Sequence, residues 1–482
     1  MAGRRGAAAV LLALAPAALA LRAATPAART PGSLRPHSQQ LTNFFDVQYA
    51  APLTLGGQAL TGMMDTGSSE LTAFSQRCAT CGLAASYSEQ RSPSFTRGRA
   101  KRRMSYTSGT CDVQSGSDML AVGDGSSPAA RQSFWLATAC EMPVLSSASF
   151  NAIVGLGPPE QPEVEARALL QQAESKIAAG EANGEQVPDT LLDMRDRYEE
   201  ELRLVLARPP LLRNLRVWAF SVCIGRSPGS PGWLTWFDAD RILQSGSHRV
   251  PVVGSVSWSI AVRDVALRQP GLARRQGHID SVLGCGKGCN AIVDTGSSLI
   301  GVPSELHAAL SQAVSGWDCS DLRGMPDLTF WVGSLRLRLP ASSYVGHIVG
   351  PAGPEATSLL RLRGGGSAPA GAGGRSGQAC DLLLMDLGSG STSEGPQLIL
   401  GMPFFREYHT TFDLGRSAGG NRSVILARAD RDCLPTAGTS LWERGGARGP
   451  EPPRSVDASR LLLPSRLRLN ASAASAGLPR RP

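Results

Sequence analysis

Hydrophobic positions along this chain recur mostly with a period of two, or as short unbroken runs closed by glycine and small polar residues. That is the signature of strands joined by tight turns. Residues 43–50 and 53–64 read as strands around a Gly56-Gly57 turn, and residues 118–123 and 134–139 as two more. Further strands follow at 217–224 and 258–262, and residues 328–339 alternate as a strand pair around Gly333. One region breaks this pattern. Residues 164–177 and 191–205 space their apolar residues helically among many charges, with Gly180 and Pro188 as punctuation. They predict a solvated helical hairpin set into a β protein. Pro303-Ser304 opens another helix over 303–314. Residues 91–103 are basic and suggest a mobile loop, and 104–110 a hairpin with Tyr106 near its tip. The Gly/Ala/Ser-rich stretch 361–377 reads as a flexible insertion, and residues 21–41 as unstructured. From Pro435 onward the chain is rich in Pro, Gly, Arg and Ser, which predicts disorder.

Within the β pattern one pentapeptide occurs twice. An apolar run leads into Asp65-Thr66-Gly67-Ser68-Ser69, and another into Asp294-Thr295-Gly296-Ser297-Ser298. Each reads as a buried strand that ends in a tight turn and presents a carboxylate. A lone Asp-Thr-Gly is ordinarily a surface turn. Two copies, one in each half of the chain, point instead to a duplicated unit that brings two carboxylates to a pseudo-twofold axis. Two acids at contact distance cannot both ionise, so they share a proton. One then serves as general base and the other as general acid, which suits activation of water against an amide.

These residues, with others in order along the chain, resemble the pepsin-like aspartic proteases. The likeness runs from about Asn43 to about Arg428. It includes 43–47 as the entering strand, Tyr106 to Thr110 as the flap, and 150–157 as the apolar-apolar-Gly element of the first half. Its second-half counterpart is 398–401, followed by 404–408 and Phe412-Asp413, and 285–294 is the most specific stretch. The resemblance implies an all-β, bilobal pepsin-like fold: two pseudo-twofold-related β lobes with a cleft between them, plus the helical insertion in the first lobe. It implies lobes over about 42–240, with the insertion at about 160–210, and 241–430. A signal peptide over 1–20 and a short pro or linker segment over 21–41 would precede them, and a disordered basic tail over 431–482 would follow.

It further implies an aspartic endopeptidase in which Asp65 and Asp294 polarise the attacking water. Ser68 and Ser297 would bond the outer carboxylate oxygens, Gly67 and Gly296 would donate N–H groups, and Thr66 and Thr295 would brace the loops. Tyr106 and Gly109 would belong to a flap closing over an extended polypeptide substrate. The chain departs from the family at Thr72, where a tryptophan is usual, and at Asn151-Ala152, which replace an Asp-Gly pair. Cys285 and Cys289 match the family's small loop before the second Asp, and Cys319 and Cys380 its larger one. Cys78 and Cys81, with Cys140, resemble nepenthesin-type placement, and the pairing of the remaining six cysteines is not legible.

Composition narrows this picture. The 482 residues suffice for two lobes with full cores, and 54 glycines and 33 prolines fit a turn-rich β chain. The net charge of +8 raises the question of nucleic acid. No basic helix interleaved with aromatics and no nucleic-acid motif is present, so none is inferred. Arg4 and Arg5, the apolar run 7–20 and Ala18-Leu19-Ala20 predict a cleaved secretory signal, with an uncleaved anchor or a transit peptide as minor alternatives. Ten cysteines behind such a leader favour disulfides. Zinc is the rival reading of Cys78-x-x-Cys81 and Cys285-x-x-x-Cys289, but neither has a convincing second ligand pair. The expectation is therefore no cofactor and no metal, no stable membrane span and a monomer. The expected location is the secretory pathway, ending extracellular or in a vacuole or lysosome, with possible glycosylation at Asn421 and Asn470. The alternative function is a catalytically inactive binding or inhibitor protein of the same fold. Chance turns in an unrelated β protein remain the bland option.

Overall fold

The two strands that end in the repeated pentapeptides have the same neighbours. In the computed structural model, which describes residues 36–123, 129–244, 246–268, 282–314, 319, 322–361, 381–392, 395–415, 421–430, 433 and 453–464, Gln58–Asp65 runs parallel to Ala152–Gly155. Asp65 stands opposite Gly155. Cys289–Val293 runs parallel to Gly395–Leu400, with Val293 opposite Leu400. In each half a third short strand, Leu71–Phe74 or Ile300–Val302, returns antiparallel to that same partner. Strands covered on both faces favour continuous apolar runs over alternation, and Leu71–Phe74, Ala152–Gly155 and Cys289–Val293 are buried at every position.

A thirteen-stranded sheet, a nine-stranded sheet and a three-stranded sheet carry these units. Part of the thirteen-stranded sheet joins the two halves. There Tyr408–Asp413 pairs with Ala219–Ile224, which leads through Gly232–Trp236 to His37–Phe44. Beneath it Phe220 stacks on Phe412 at 4.8 Å between ring centroids, and Trp258 lies 5.1 Å from Phe412. The indole N–H of Trp258 donates to Leu156 O at 2.9 Å, tying the second half to the first just after its apolar-apolar-Gly element. The architecture is the all-β, two-lobed one that the resemblance implies.

The helical hairpin is present as α1 (Gln161–Ala182) and α2 (Asp189–Leu206). Helix α1 buries Ala166, Ala173 and Ile177, a single stripe at helical spacing. Helix α2 buries none of its residues, so its charges remain solvated. No helix among the described residues is long and apolar enough to cross a membrane.

Three stretches differ from expectation. Residues 91–103 are largely not a loop: Thr96–Tyr106 is a strand paired antiparallel with Gly109–Val122. Its outward positions Arg97, Arg99, Lys101 and Arg103 are all basic and exposed, and this hides the alternation with Gly98, Ala100 and Met104. Residues 37–41, assigned to a linker, form a strand edge along Gly232–Trp236. Of its two buried positions, Leu41 is apolar and Gln39 polar: Gln39 accepts from the Trp236 indole at 2.9 Å and donates to Pro52 O. Residues 453–464, assigned to a disordered tail, are structured. Arg454–Asp457 is a strand, and Leu461, Leu462 and Leu463 are buried. The leader, most of the Gly-rich stretch, Cys380 and Asn470 lie outside the described residues.

Candidate active site

Each pentapeptide closes on its own carboxylate. Gly67 N–H donates to Asp65 Oδ1 at 2.8 Å and Ser68 Oγ to Asp65 Oδ2 at 2.5 Å. In the second copy Gly296 N–H donates to Asp294 Oδ1 at 2.8 Å and Ser297 Oγ to Asp294 Oδ2 at 2.6 Å. Such donors favour the charged form of an acid.

The two loops are locked together by their threonines. Thr66 N–H donates to Thr295 Oγ1 at 3.0 Å, and Thr295 N–H to Thr66 Oγ1 at 2.9 Å. Each hydroxyl reaches across to a strand of the other loop, Thr66 to Val293 O at 2.8 Å and Thr295 to Met64 O at 2.6 Å. All four groups are buried, where lost pairing is costly. The glycines let the loops meet: a β-carbon on Gly67 would sit 2.7 Å from Asp294 Oδ1, and one on Gly296 would overlap Asp65 Oδ1.

The result is a pair of buried carboxyls on facing loops, close enough for the charge of Asp65 to act on Asp294. Burial, then the negative charge of Asp65, pushes the Asp294 carboxyl up from its ordinary 3.8 to about 8; the Ser297 and Gly296 donors oppose that rise. One proton is thus retained on the pair well above the usual carboxylate range. The arrangement can hold a polar nucleophile between an acid and a base.

Tyr106 and Gly109 face each other across a two-residue turn. Gly109 has φ +136° and lies so close to Glu141 O that no side chain fits. Tyr106 OH lies 3.3 Å from Thr72 Oγ1, so the threonine that stands where the resemblance expects a tryptophan still meets the tyrosine of this hairpin. Asn151, the other departure, accepts from Thr61 N–H through Oδ1 at 2.7 Å and donates its own N–H to Thr61 O. A side-chain amide therefore suffices to fasten that turn.

A cluster that the sequence did not single out adjoins Ser69. Arg102, on the strand Thr96–Tyr106, pairs with Glu70 and with Glu201 of α2, the latter at 3.2 Å. Its guanidinium lies 4.3 Å from the Trp135 ring centroid, and Arg208 lies 4.4 Å from the same ring. The Trp135 indole donates to Glu70 at 2.8 Å. A cavity of about 130 Å³ opens beside it, lined by Ser68, Glu70, Met104, Tyr106, Leu169 and Glu201 among others. The Tyr106 hairpin, the carboxylate loop and the helical hairpin therefore share one wall. Arginines in a basic run carry no local sign of such partners.

Cys285–Cys289 is a disulfide as expected from the resemblance. Cys78–Cys81, Cys111–Cys140 and Cys223–Cys433 are the others described. Cys319 is also disulfide-bonded, while Cys380 lies outside the described residues. The sulfurs of Cys78, Cys81 and Cys140 lie within 4.8 Å of one another, but all three are spent in disulfides.

A family model described as eukaryotic aspartyl protease matches residues 48–179 and 212–351. The unmatched stretch between those blocks contains all of α2. Cathepsin E of Mus musculus is 25% identical over 402 residues, covering 80% of this chain and 82% of that protein. Napsin-A of Homo sapiens is 28% identical over 344 residues, covering 66% and 68%. Pepsin A of Bos taurus is 25% identical over 396 residues, covering 79% and 86%.

Proposed function

The chain belongs to the eukaryotic aspartyl protease family and is an aspartic endopeptidase, a hydrolase; from that premise we propose that Asp65 and Asp294 are its catalytic pair. The observation that carries this reading is the interlock of the two loops, which sets two buried carboxyls, each with its own matched donors, against the glycine of the other loop. In this reading Asp65 takes a proton from a water held between the two acids, and the resulting oxygen attacks the peptide carbonyl carbon. Asp294 gives its proton to the carbonyl oxygen. Collapse of the tetrahedral adduct then breaks the C–N bond, with a proton passing to the leaving nitrogen. Ser68, Ser297, Gly67 and Gly296 hold the carboxylates in place, and Thr66 and Thr295 hold the loops in register. Tyr106, with Gly109 at the turn, closes over the extended polypeptide. The activity is favoured on the acid side, because the proton on Asp294 is lost as pH rises. The disulfides and the predicted leader together support folding in an oxidising, secretory compartment. The binding-only alternative finds no support in either carboxylate loop.

The test is hydrolysis of an unfolded protein substrate from acid to neutral pH, with and without pepstatin, alongside Asp65→Asn. Loss of an acid–base partner should lower kcat by about 10²–10⁴-fold. An Asp65→Asn enzyme that retains its activity would overturn the assignment.

A further inference from the structure

Ser298 ends the second pentapeptide, and its main chain and side chain are both engaged by a distant part of the protein. Ser298 N–H donates to Leu462 O at 3.0 Å, and Leu462 N–H donates to Ser298 Oγ at 2.7 Å. Ser298 Oγ in turn donates to Val47 O. One residue thus reads both the N–H and the C=O of Leu462, which is how an extended main chain is gripped irrespective of sequence.

The segment that carries Leu462 is held like a ligand along its length. Arg454–Asp457 adds to the edge of Val345–Val349 as a parallel strand, Gly346 opposite Arg454 and Val349 opposite Asp457. This is β-augmentation by the protein's own chain. Gln48 then donates to Arg460 O at 2.8 Å, and the Arg460 guanidinium donates to Ser147 O and lies 3.9 Å from the Phe45 ring centroid. Val456, Ala458, Leu461 and Leu463 fill a small apolar cluster with Val47, Leu299 and Met385. The segment touches elements of both halves, and its Leu462 sits one residue away from Ser297, which holds Asp294 Oδ2.

We propose that residues 454–464 are a built-in competitive inhibitor, seated across Ser298, Gln48 and Leu299 where an extended polypeptide would lie. The inference rests on the proteolytic reading of Asp65 and Asp294. It also names a substrate preference. Main-chain contacts hold any extended polypeptide, while the apolar cluster selects leucine-like side chains on that side of the bond to be cut. A segment of the same chain meets its site intramolecularly, at an effective concentration that a free peptide must match. A site too weak to retain a free peptide is therefore filled in cis, and release of the segment is what admits substrate.

The experiment uses the full chain. Leu461→Asp with Leu463→Asp places two carboxylates in the apolar cluster and unseats the segment. Leu462→Pro, a second variant, removes the single N–H that reaches Ser298 and adds no charge. Circular dichroism reports folding. Cleavage of an unfolded protein substrate and anisotropy of a fluorescent peptide of residues 453–464 are then measured on wild type and variants. The expected result is a rise of at least about tenfold in kcat/KM, carried by KM. The labelled peptide should bind the variants but not wild type, and unlabelled peptide should inhibit them competitively. A folded variant that cleaves no better than wild type while wild type is active, or one to which the peptide does not bind, overturns the proposal. If neither wild type nor variant cleaves anything, the proteolytic reading fails; peptide binding to the variant alone would still uphold occupancy.

Discussion

Asp65 and Asp294 sit in loops of identical sequence, and the hydrogen bonds inside those loops agree closely: 2.8 Å from each glycine N–H, 2.5 and 2.6 Å from the two serines. Beyond the fourth residue the likeness ends. On the Asp65 side Ser69 and Glu70 border a cavity walled by the flap strand and the helical hairpin, with Arg102 and Trp135 at its edge. On the Asp294 side Ser298 is taken by Leu462. Local sequence sets the local turn, because its hydrogen bonds span two or three residues. What surrounds each turn comes from stretches that are not repeated, α2 in one half and residues 453–464 in the other. The duplicated part holds the chemistry, and the unduplicated parts differ in what they admit to it.

That comparison can be broken most sharply through pH. The Asp294 carboxyl is raised in the fold, by burial first and by Asp65 second. A raised acid stabilises the fold fully below its unfolded value and loses that contribution as pH rises through its folded value. Wild-type stability should therefore fall between about pH 4 and about pH 8, by at most about 1.4 kcal/mol per pH unit from this group. Asp294→Asn should flatten the slope in urea denaturation followed across that range. Parallel curves for wild type and variant would show that the pair carries no such asymmetry.

The threonines offer the next test. Thr66→Val leaves Val293 O and Thr295 N–H without their partner, and Thr295→Val does the same to Met64 O and Thr66 N–H. Each buried orphan costs about 1–3 kcal/mol, so each variant, with two of them, should lose about 2–6 kcal/mol in equilibrium unfolding. Equal losses are expected from a symmetric lock; a difference well beyond 1 kcal/mol would mean that one half braces the other. The smallest effect belongs to the unduplicated wall. Glu201 is partly exposed, so Glu201→Gln should cost under about 1 kcal/mol. It should still change KM a few-fold by releasing Arg102 from the helical hairpin while Glu70 keeps it, and a peptide-substrate KM identical to wild type would remove the hairpin from the binding site.

Several features were legible because their cause is local. The carboxylate turns follow from Asp-Thr-Gly after an apolar run. The hairpin follows from periodicity, and α1 and α2 overlap the predicted stretches with only their ends extended. Others were misread because a polar residue stood where a core position belonged. Gln39 is buried yet satisfied by Trp236 and Pro52, and Arg102 faces inward because Glu70, Glu201 and Trp135 await it. No local pattern announces a partner that is far away in the chain.

By itself, then, the amino-acid order determined the β periodicity, the helical interruption and the two acid turns, each the product of forces that act over a few residues. Only the tertiary structure decided that the turns interlock through Thr66 and Thr295, that Cys223 pairs with Cys433, and that a low-complexity tail returns as a strand beside Val345–Val349. The physical reason is one of range. Backbone propensity and turn chemistry are written into neighbouring residues, whereas the worth of a buried polar group or an edge strand depends on what the rest of the chain brings to it.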